Sequence, residues 1–204
     1  MALALPRYIE LREKAQFDGL AGKSVLVLGA GLGFEGLVMA LREYNAHAVY
    51  LTDLPSVLPT MRQNIEMNGA SLVADRVHAH VLEWGEAGWA KWQREGLPTE
   101  FDLVIGCEIV YCEEALEDLK YTLQQIVPPN NSRGTVLYMA FESRYFSCLQ
   151  FIRELALLPA LAEDEVDPPR SSPYYSVESI ADFDACGAED AYIFRIVATG
   201  VAQR

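Results

Sequence analysis

Ser24-Val-Leu-Val-Leu-Gly-Ala-Gly-Leu-Gly-Phe-Glu-Gly36 is the stretch on which the fold turns. Ser24 to Leu28 reads as a buried strand, because the run is short, apolar, rich in β-branched valine and stopped by glycine. Gly29, Gly31 and Gly33 then form a turn in which the backbone can adopt positive φ and pass close beneath a ligand. A helix is expected from Leu37 to Tyr44. Strand, glycine turn and helix together make the opening unit of a parallel sheet whose ligands lie beyond the carboxyl ends of the strands. A tight turn holding no ligand is the plainer alternative.

The alternation continues on the C-terminal side of this unit. Ala46 to Thr52, Arg76 to Leu82, Phe101 to Gly106 and Thr135 to Phe141 predict further strands. Leu58, Met61 and Ile65, and later Leu116, Leu119 and Leu123, recur at helical spacing, with Asn68-Gly69 as a left-handed stop to the first of these helices. Trp89 and Trp92 read as the packing face of a short helix, a partner surface being the other option. Strands that alternate with helices in this way imply a mostly parallel sheet, covered on both faces and wound right-handedly. The expected class is α/β, doubly wound. Beyond it, Leu149 to Leu158 looks helical and Asp164 to Tyr175 is a loop rich in Pro, Ser and acids. Ala191 to Thr199 is a strand with no helix after it, expected to join antiparallel at or near a sheet edge.

Composition sets the outer limits. A chain of 204 residues, 51% hydrophobic and 22% charged, can build one core without staples, so residues 1–204 are expected to be a single domain and a monomer. Cys107, Cys112, Cys148 and Cys186 have neither the density of a disulfide scaffold nor a CxxC pair, which points to a reducing compartment, cytoplasmic and also nuclear. The longest uncharged apolar run, Ser24 to Phe34, is shorter than the ~20 residues of a membrane-spanning helix, and Met1 to Arg7 does not look like a secretory leader. A net charge of −13 without any Lys/Arg cluster argues against nucleic acid and makes a cationic partner electrostatically easier, although acidity also serves plain solubility. His78 and His80 share a strand face but have no third ligand nearby, so they read as structural and no metal is expected.

The glycine turn has the form GxGxG. A nicotinamide dinucleotide needs GxGxxG, yet Phe34 stands where the third glycine belongs. A ligand without a pyrophosphate fits better, because fewer amides at the helix start must face anionic oxygens. S-adenosylmethionine is such a ligand. The second strand ends at Asp53, 20 residues beyond Gly33, the place of a carboxylate that accepts from ribose hydroxyls. Asp53 is also a reasonable N-cap for the helix that follows, and the two roles compete without excluding each other.

An ordered set of motifs now stands out: Val25 to Gly33, Leu51-Thr-Asp-Leu-Pro55, Asn64-Ile-Glu-Met-Asn68, Leu82-Glu-Trp-Gly85 and Asp102 to Glu114. From about Leu20 to the final strand the chain resembles the seven-strand lysine methyltransferase-like family, and most closely the subgroup acting on valosin-containing protein. The resemblance implies a Rossmann-like, doubly wound, mostly parallel seven-stranded sheet with helices on both faces and an antiparallel C-terminal strand. It implies S-adenosyl-L-methionine as cofactor. By the same resemblance Gly29, Ala30, Gly31 and Gly33 flank the methionine part, Asp53 and Leu54 meet the ribose, Trp84 lies against the adenine and Cys107 belongs to the cofactor side. A plain core aromatic is the alternative for Trp84. The family's catalytic Asp-x-x-Tyr reads here Glu108-Ile109-Val110-Tyr111, and its Glu-x-Arg reads Glu142-Ser143-Arg144 on the substrate side.

Methyl transfer from a sulfonium to an amine is an in-line displacement, which needs only a neutral amine held against the methyl group in a dry pocket. Glu108 can hydrogen-bond the incoming ammonium or the cofactor's amino group, and Tyr111 can orient the amine. Alternatively, Glu108 merely opens the acidic stretch with Glu113 and Glu114 that favours a helix start, and Arg144 merely pairs with Glu142 to fix a loop. Cys107 and Cys112 have no His nearby in sequence and also read as small buried side chains. Three departures from the family pattern are visible: Val27 stands where an acid usually precedes the turn, Glu108 replaces Asp, and the family's upstream tryptophan segment, part of an N-terminal lid, has no counterpart. The expected activity is protein-lysine N-methylation. A protein-histidine or small-molecule methyltransferase, an inactive cofactor-binding interaction module and, more distantly, a nicotinamide oxidoreductase are the rivals.

Overall fold

The computed structural model describes residues 19–41, 44, 46–69, 74–131, 133–142, 146–156, 175–180 and 191–198. Seven strands form one sheet: β1 (Ser24–Leu28), β2 (Ala48–Asp53), β3 (Val77–Val81), β4 (Leu103–Cys107), β5 (Val136–Glu142), β6 (Tyr175–Ile180) and β7 (Ala191–Ala198). Their order is β3-β2-β1-β4-β5-β7-β6. The first five run parallel, while β7 pairs antiparallel with both β5 and β6. Among the described residues five α-helices accompany them: α1 (Phe34–Met39), α2 (Leu58–Asn68), α3 (Glu86–Arg94), α4 (Leu116–Ile126) and α5 (Phe146–Leu155). The Rossmann-like, doubly wound class expected from the sequence is the class observed.

Why both faces are covered is visible in the strand residues. Along β1 the buried side chains alternate: Val25 and Val27 join one cluster with Met39 of α1 and Met61 of α2, while Leu26 and Leu28 join another with Trp89, Leu119 and Phe151 of α3, α4 and α5. From Val25 to Leu28 this central parallel strand is thus apolar at every position, whereas a strand with one wet face would alternate with polar residues. Trp89 and Trp92 are both buried, so the packing reading of that helix holds. One close approach matters for the site. A Cβ on Gly36 would run into Leu51 Cδ2, so this glycine lets α1 lie hard against β2.

Three expectations change. Helix α1 starts at Phe34, not Leu37, because Gly33 at φ 85° turns the chain directly into it. Gly69 ends α2 with φ −52°, in the right-handed region, and so is not the left-handed stop that its identity suggested. Tyr175, assigned to a loop, begins β6, with Tyr175 and Val177 facing the core. Strand β7 joins antiparallel near the sheet edge, as expected, between β5 and the edge strand β6.

Candidate active site

The sheet order reverses at β1 and β4, which places a crevice above their carboxyl ends. The glycine turn forms one wall. Gly29, Gly31 and Gly33 have φ of 58°, 54° and 85°, a region that side chains disfavour. A Cβ on Gly29 would stand 2.7 Å from Ile109 Cγ2 and 3.5 Å from Trp84 Cζ2, so the turn is closed on that side, while beside Gly31 there is open space. The turn is also tied down: the Ala30 amide donates to the Thr52 carbonyl at 2.9 Å, the Gly33 amide to the Ala30 carbonyl at 2.7 Å, and Asn64 Nδ2 to the Leu32 carbonyl at 2.8 Å.

Asp53 clamps this wall to the next. Its Oδ2 accepts from the Gly31 amide and its Oδ1 from the Leu54 amide, each at 2.7 Å. Each oxygen keeps lone-pair capacity for a further donor. The N-cap position of α2 is Val57, so Asp53 does not cap that helix.

Trp84 is held by its neighbour. The Gly85 amide donates to Thr122 Oγ1 at 2.8 Å, and that hydroxyl donates to the Asp118 carbonyl at 3.0 Å, which seats the 82–85 turn on the first turns of α4. The third wall follows β4. Glu108 has φ 56°, the one positive φ outside glycine among the described residues, and its amide donates to the Ala140 carbonyl at 2.8 Å. That left-handed step costs on the order of 1 kcal/mol. It turns the chain so that Ile109 and Val110 are buried and Tyr111 is exposed.

These walls enclose a cavity of about 290 Å³. Of the residues singled out from the sequence, Gly29, Asp53, Leu54, Trp84, Glu108 and Tyr111 line it. Ala30 and Gly33 act from behind, as backbone supports of the turn. Cys107 is half-buried, and its thiol donates to the carboxylate of Glu35 on α1. Burial, together with the negative charges of Glu35 and Glu108, pushes this thiol up to about 12, so it stays protonated. Burial likewise raises the Glu35 carboxyl above its ordinary value. Glu142 ends β5, opposite Ala191, and Arg144 lies outside the described residues. The sequence reading missed Leu82, Glu83, Ile109, Ala115 and Asp118 of the lining. The Leu82 to Gly85 motif was the one available signal for Glu83, whereas Asp118 enters only because α4 packs on that turn.

Among the described residues four of the lining are acidic, Asp53, Glu83, Glu108 and Asp118, and none is Lys, Arg or His. Such a cavity repels a pyrophosphate and attracts a cation. An indole, a carboxylate with spare acceptor capacity and acidic walls suit a purine, a ribose diol and a sulfonium, the three parts of S-adenosylmethionine. Among the described residues no group of His, Cys, Asp or Glu is placed to hold a metal ion, and no helix is long and apolar enough to cross a membrane.

The lysine methyltransferase family matches residues 2–157. This chain belongs to the lysine methyltransferase family. It is 27% identical over 177 residues to the protein N-lysine methyltransferase METTL21A of Mus musculus, covering 87% of this chain and 74% of that one. To the EEF1A lysine methyltransferase 3 of Xenopus tropicalis it is 36% identical over 131 residues, 64% of this chain and 52% of the relative, so it spans about half of that protein. The fold is shared with magnesium protoporphyrin IX methyltransferase from Synechocystis PCC 6803 with bound SAM, at TM-score 0.56 and 15% identity, over 96% of this chain and 77% of that one. As a member of the lysine methyltransferase family the chain is an S-adenosylmethionine-dependent methyltransferase, and Asp53 and Trp84 both line the cavity.

Proposed function

We propose that this chain methylates the ε-amine of a lysine in a protein substrate. The observation that carries the reading is the acidic cavity with Tyr111 exposed at its mouth. S-adenosylmethionine supplies a methyl group on a sulfonium; the chain's own residues do the positioning. Glu108, set by its left-handed backbone, faces the cavity and attracts the incoming ammonium. The amine must lose its proton before reaction, and the apolar walls from Leu82 and Ile109 favour its neutral form by desolvation. Tyr111 orients the amine from the mouth, and the Glu142-Ser143-Arg144 motif is the candidate for the substrate side.

The motif resemblance supports valosin-containing protein as the first acceptor to try, in the cytoplasm and nucleus, with the chain acting as a monomer. The test is transfer of tritiated methyl groups from S-adenosylmethionine to that protein and to cell lysate, with the labelled residue mapped. Glu108→Gln is expected to lower kcat by about 10²-fold while leaving cofactor binding nearly unchanged. Label on histidine or on small molecules alone, or cofactor binding without any transfer, would replace the lysine reading by one of its rivals.

A further inference from the structure

Of the large apolar side chains that the fold leaves in water, all but Met67 on α2 line the cavity or flank its glycine wall. Among the described residues they are Leu32, Phe34, Leu54, Met67 and Tyr111. Leu54 and Tyr111 line the cavity, and Leu32 and Phe34 flank Gly33 on the turn that forms its wall. Leu32 is 64% exposed and Tyr111 69%, although both stand on backbone that hydrogen bonds and buried neighbours hold in place. Single exposed hydrophobics are ordinary on a protein surface, but a group of them around one opening marks a contact surface.

Among the described residues the charge beside this rim is mostly negative. Residues 108 to 118 carry Glu108, Glu113, Glu114, Glu117 and Asp118 and no Lys or Arg. The Gly85–Thr122 bond brings Glu83 and Glu86 up to the same side. Lys120 pairs with Glu117 at 2.6 Å, and Cys112 donates to Glu114 at 3.1 Å, so the band is partly compensated and keeps an acidic excess. The cavity is thus lined by Gly29 of the glycine turn, Leu54 and Tyr111 on the one hand and by Asp118 on the other, with the acidic run from Glu113 leading into Asp118.

We infer that the acceptor lysine lies in a protein segment with a large apolar side chain on one flank and a second cationic residue on the other. The inference rests on the lysine methyltransferase reading and adds to it the class of sequence read. The apolar flank covers Leu32 and Phe34, and the second cation faces Glu113 and Glu114, where rim charge governs encounter rate and salt sensitivity.

The experiment uses the full chain, S-adenosylmethionine carrying a tritiated methyl group, and cell lysate, with labelled lysines mapped by mass spectrometry and rates then measured on the purified labelled protein. The expected sites have apolar and basic flanks. The double variant E113Q/E114Q should raise KM about fivefold and flatten its salt dependence, and Leu32→Ser should raise KM about tenfold. Both should keep kcat and the Kd for S-adenosylhomocysteine within twofold. Labelled lysines in acidic or wholly polar segments, or an unmoved KM in both variants, overturn this inference and leave lysine methylation standing. Cofactor binding with no labelled lysine overturns the lysine reading and this inference with it.

Discussion

Asp53→Asn separates two things that one carboxylate does. The wild-type side chain accepts the Gly31 and Leu54 amides, both at 2.7 Å. An amide of the same size can accept only one of them and turns its NH2 toward the other donor. Losing one charge-assisted bond is worth about 1.5–3 kcal/mol, and the partly exposed setting favours the low end. For a domain of this size, about 1.5 kcal/mol lowers Tm by roughly 3–6 °C. A ribose hydroxyl that donates to the carboxylate loses a similar amount, so binding of S-adenosylhomocysteine should weaken by roughly 10- to 150-fold. Differential scanning fluorimetry reads the first effect and isothermal titration calorimetry the second. A lower Tm with Kd within twofold of wild type would reduce Asp53 to a pin for the turn. Neither quantity moving would refute the clamp itself.

Gly36→Ala gains about 1 kcal/mol of helix propensity but forces its methyl against buried Leu51; overpacking should win, with Tm a few degrees lower, and an unchanged or higher Tm would count against the close approach of α1 to β2. Tyr175→Phe removes the 2.9 Å bond from its hydroxyl to the buried Val127 carbonyl and should cost about 1–3 kcal/mol in urea unfolding; no loss would mean that the carbonyl finds another donor. His80 is held below the ordinary histidine value, chiefly by burial and then by the charge of His78. The unfolded chain therefore takes up the proton first: this contribution to stability is present above about pH 6.5 and is lost as pH falls below it. Chemical denaturation between pH 5 and 8 should show the decline, and His80→Gln should reduce it; an equal slope in the variant would assign the effect elsewhere.

The parts of the fold legible in the sequence are those that local pattern decides. Strands β1, β2, β4 and β5 are short, largely apolar runs, β3 alternates apolar residues with His78 and His80, and α2 and α4 carry their stripes in the spacing of Leu58, Met61 and Ile65 and of Leu116, Leu119 and Leu123. Strand β6 was hidden because Tyr175–Ile180 follows directly on a proline- and acid-rich run and alternates over only six residues. Gly69 shows the limit of residue identity: glycine permits positive φ but does not require it. In the site, Asp53 was legible because its distance from the glycine turn follows from one strand-to-strand crossover. Asp118 and Glu83 were not, since what joins them to the cavity is a hydrogen bond between Gly85 and Thr122, 37 positions apart. Glu108 was named from its motif, but its left-handed backbone was not foreseeable for a residue that rarely adopts it.

The insertion of β7 beside β5 also bears on how the chain is made. Strand β5 ends at Glu142, and the partner that covers its open edge begins at Ala191. At about 5–20 residues per second, the 48 positions between them take roughly 2–10 s to synthesise. During that interval the nascent sheet presents the unpaired backbone of Val136–Glu142, apolar on both faces, to any other strand nearby. Synthesis past Ala198 is thus the step that takes this edge away from neighbouring nascent chains.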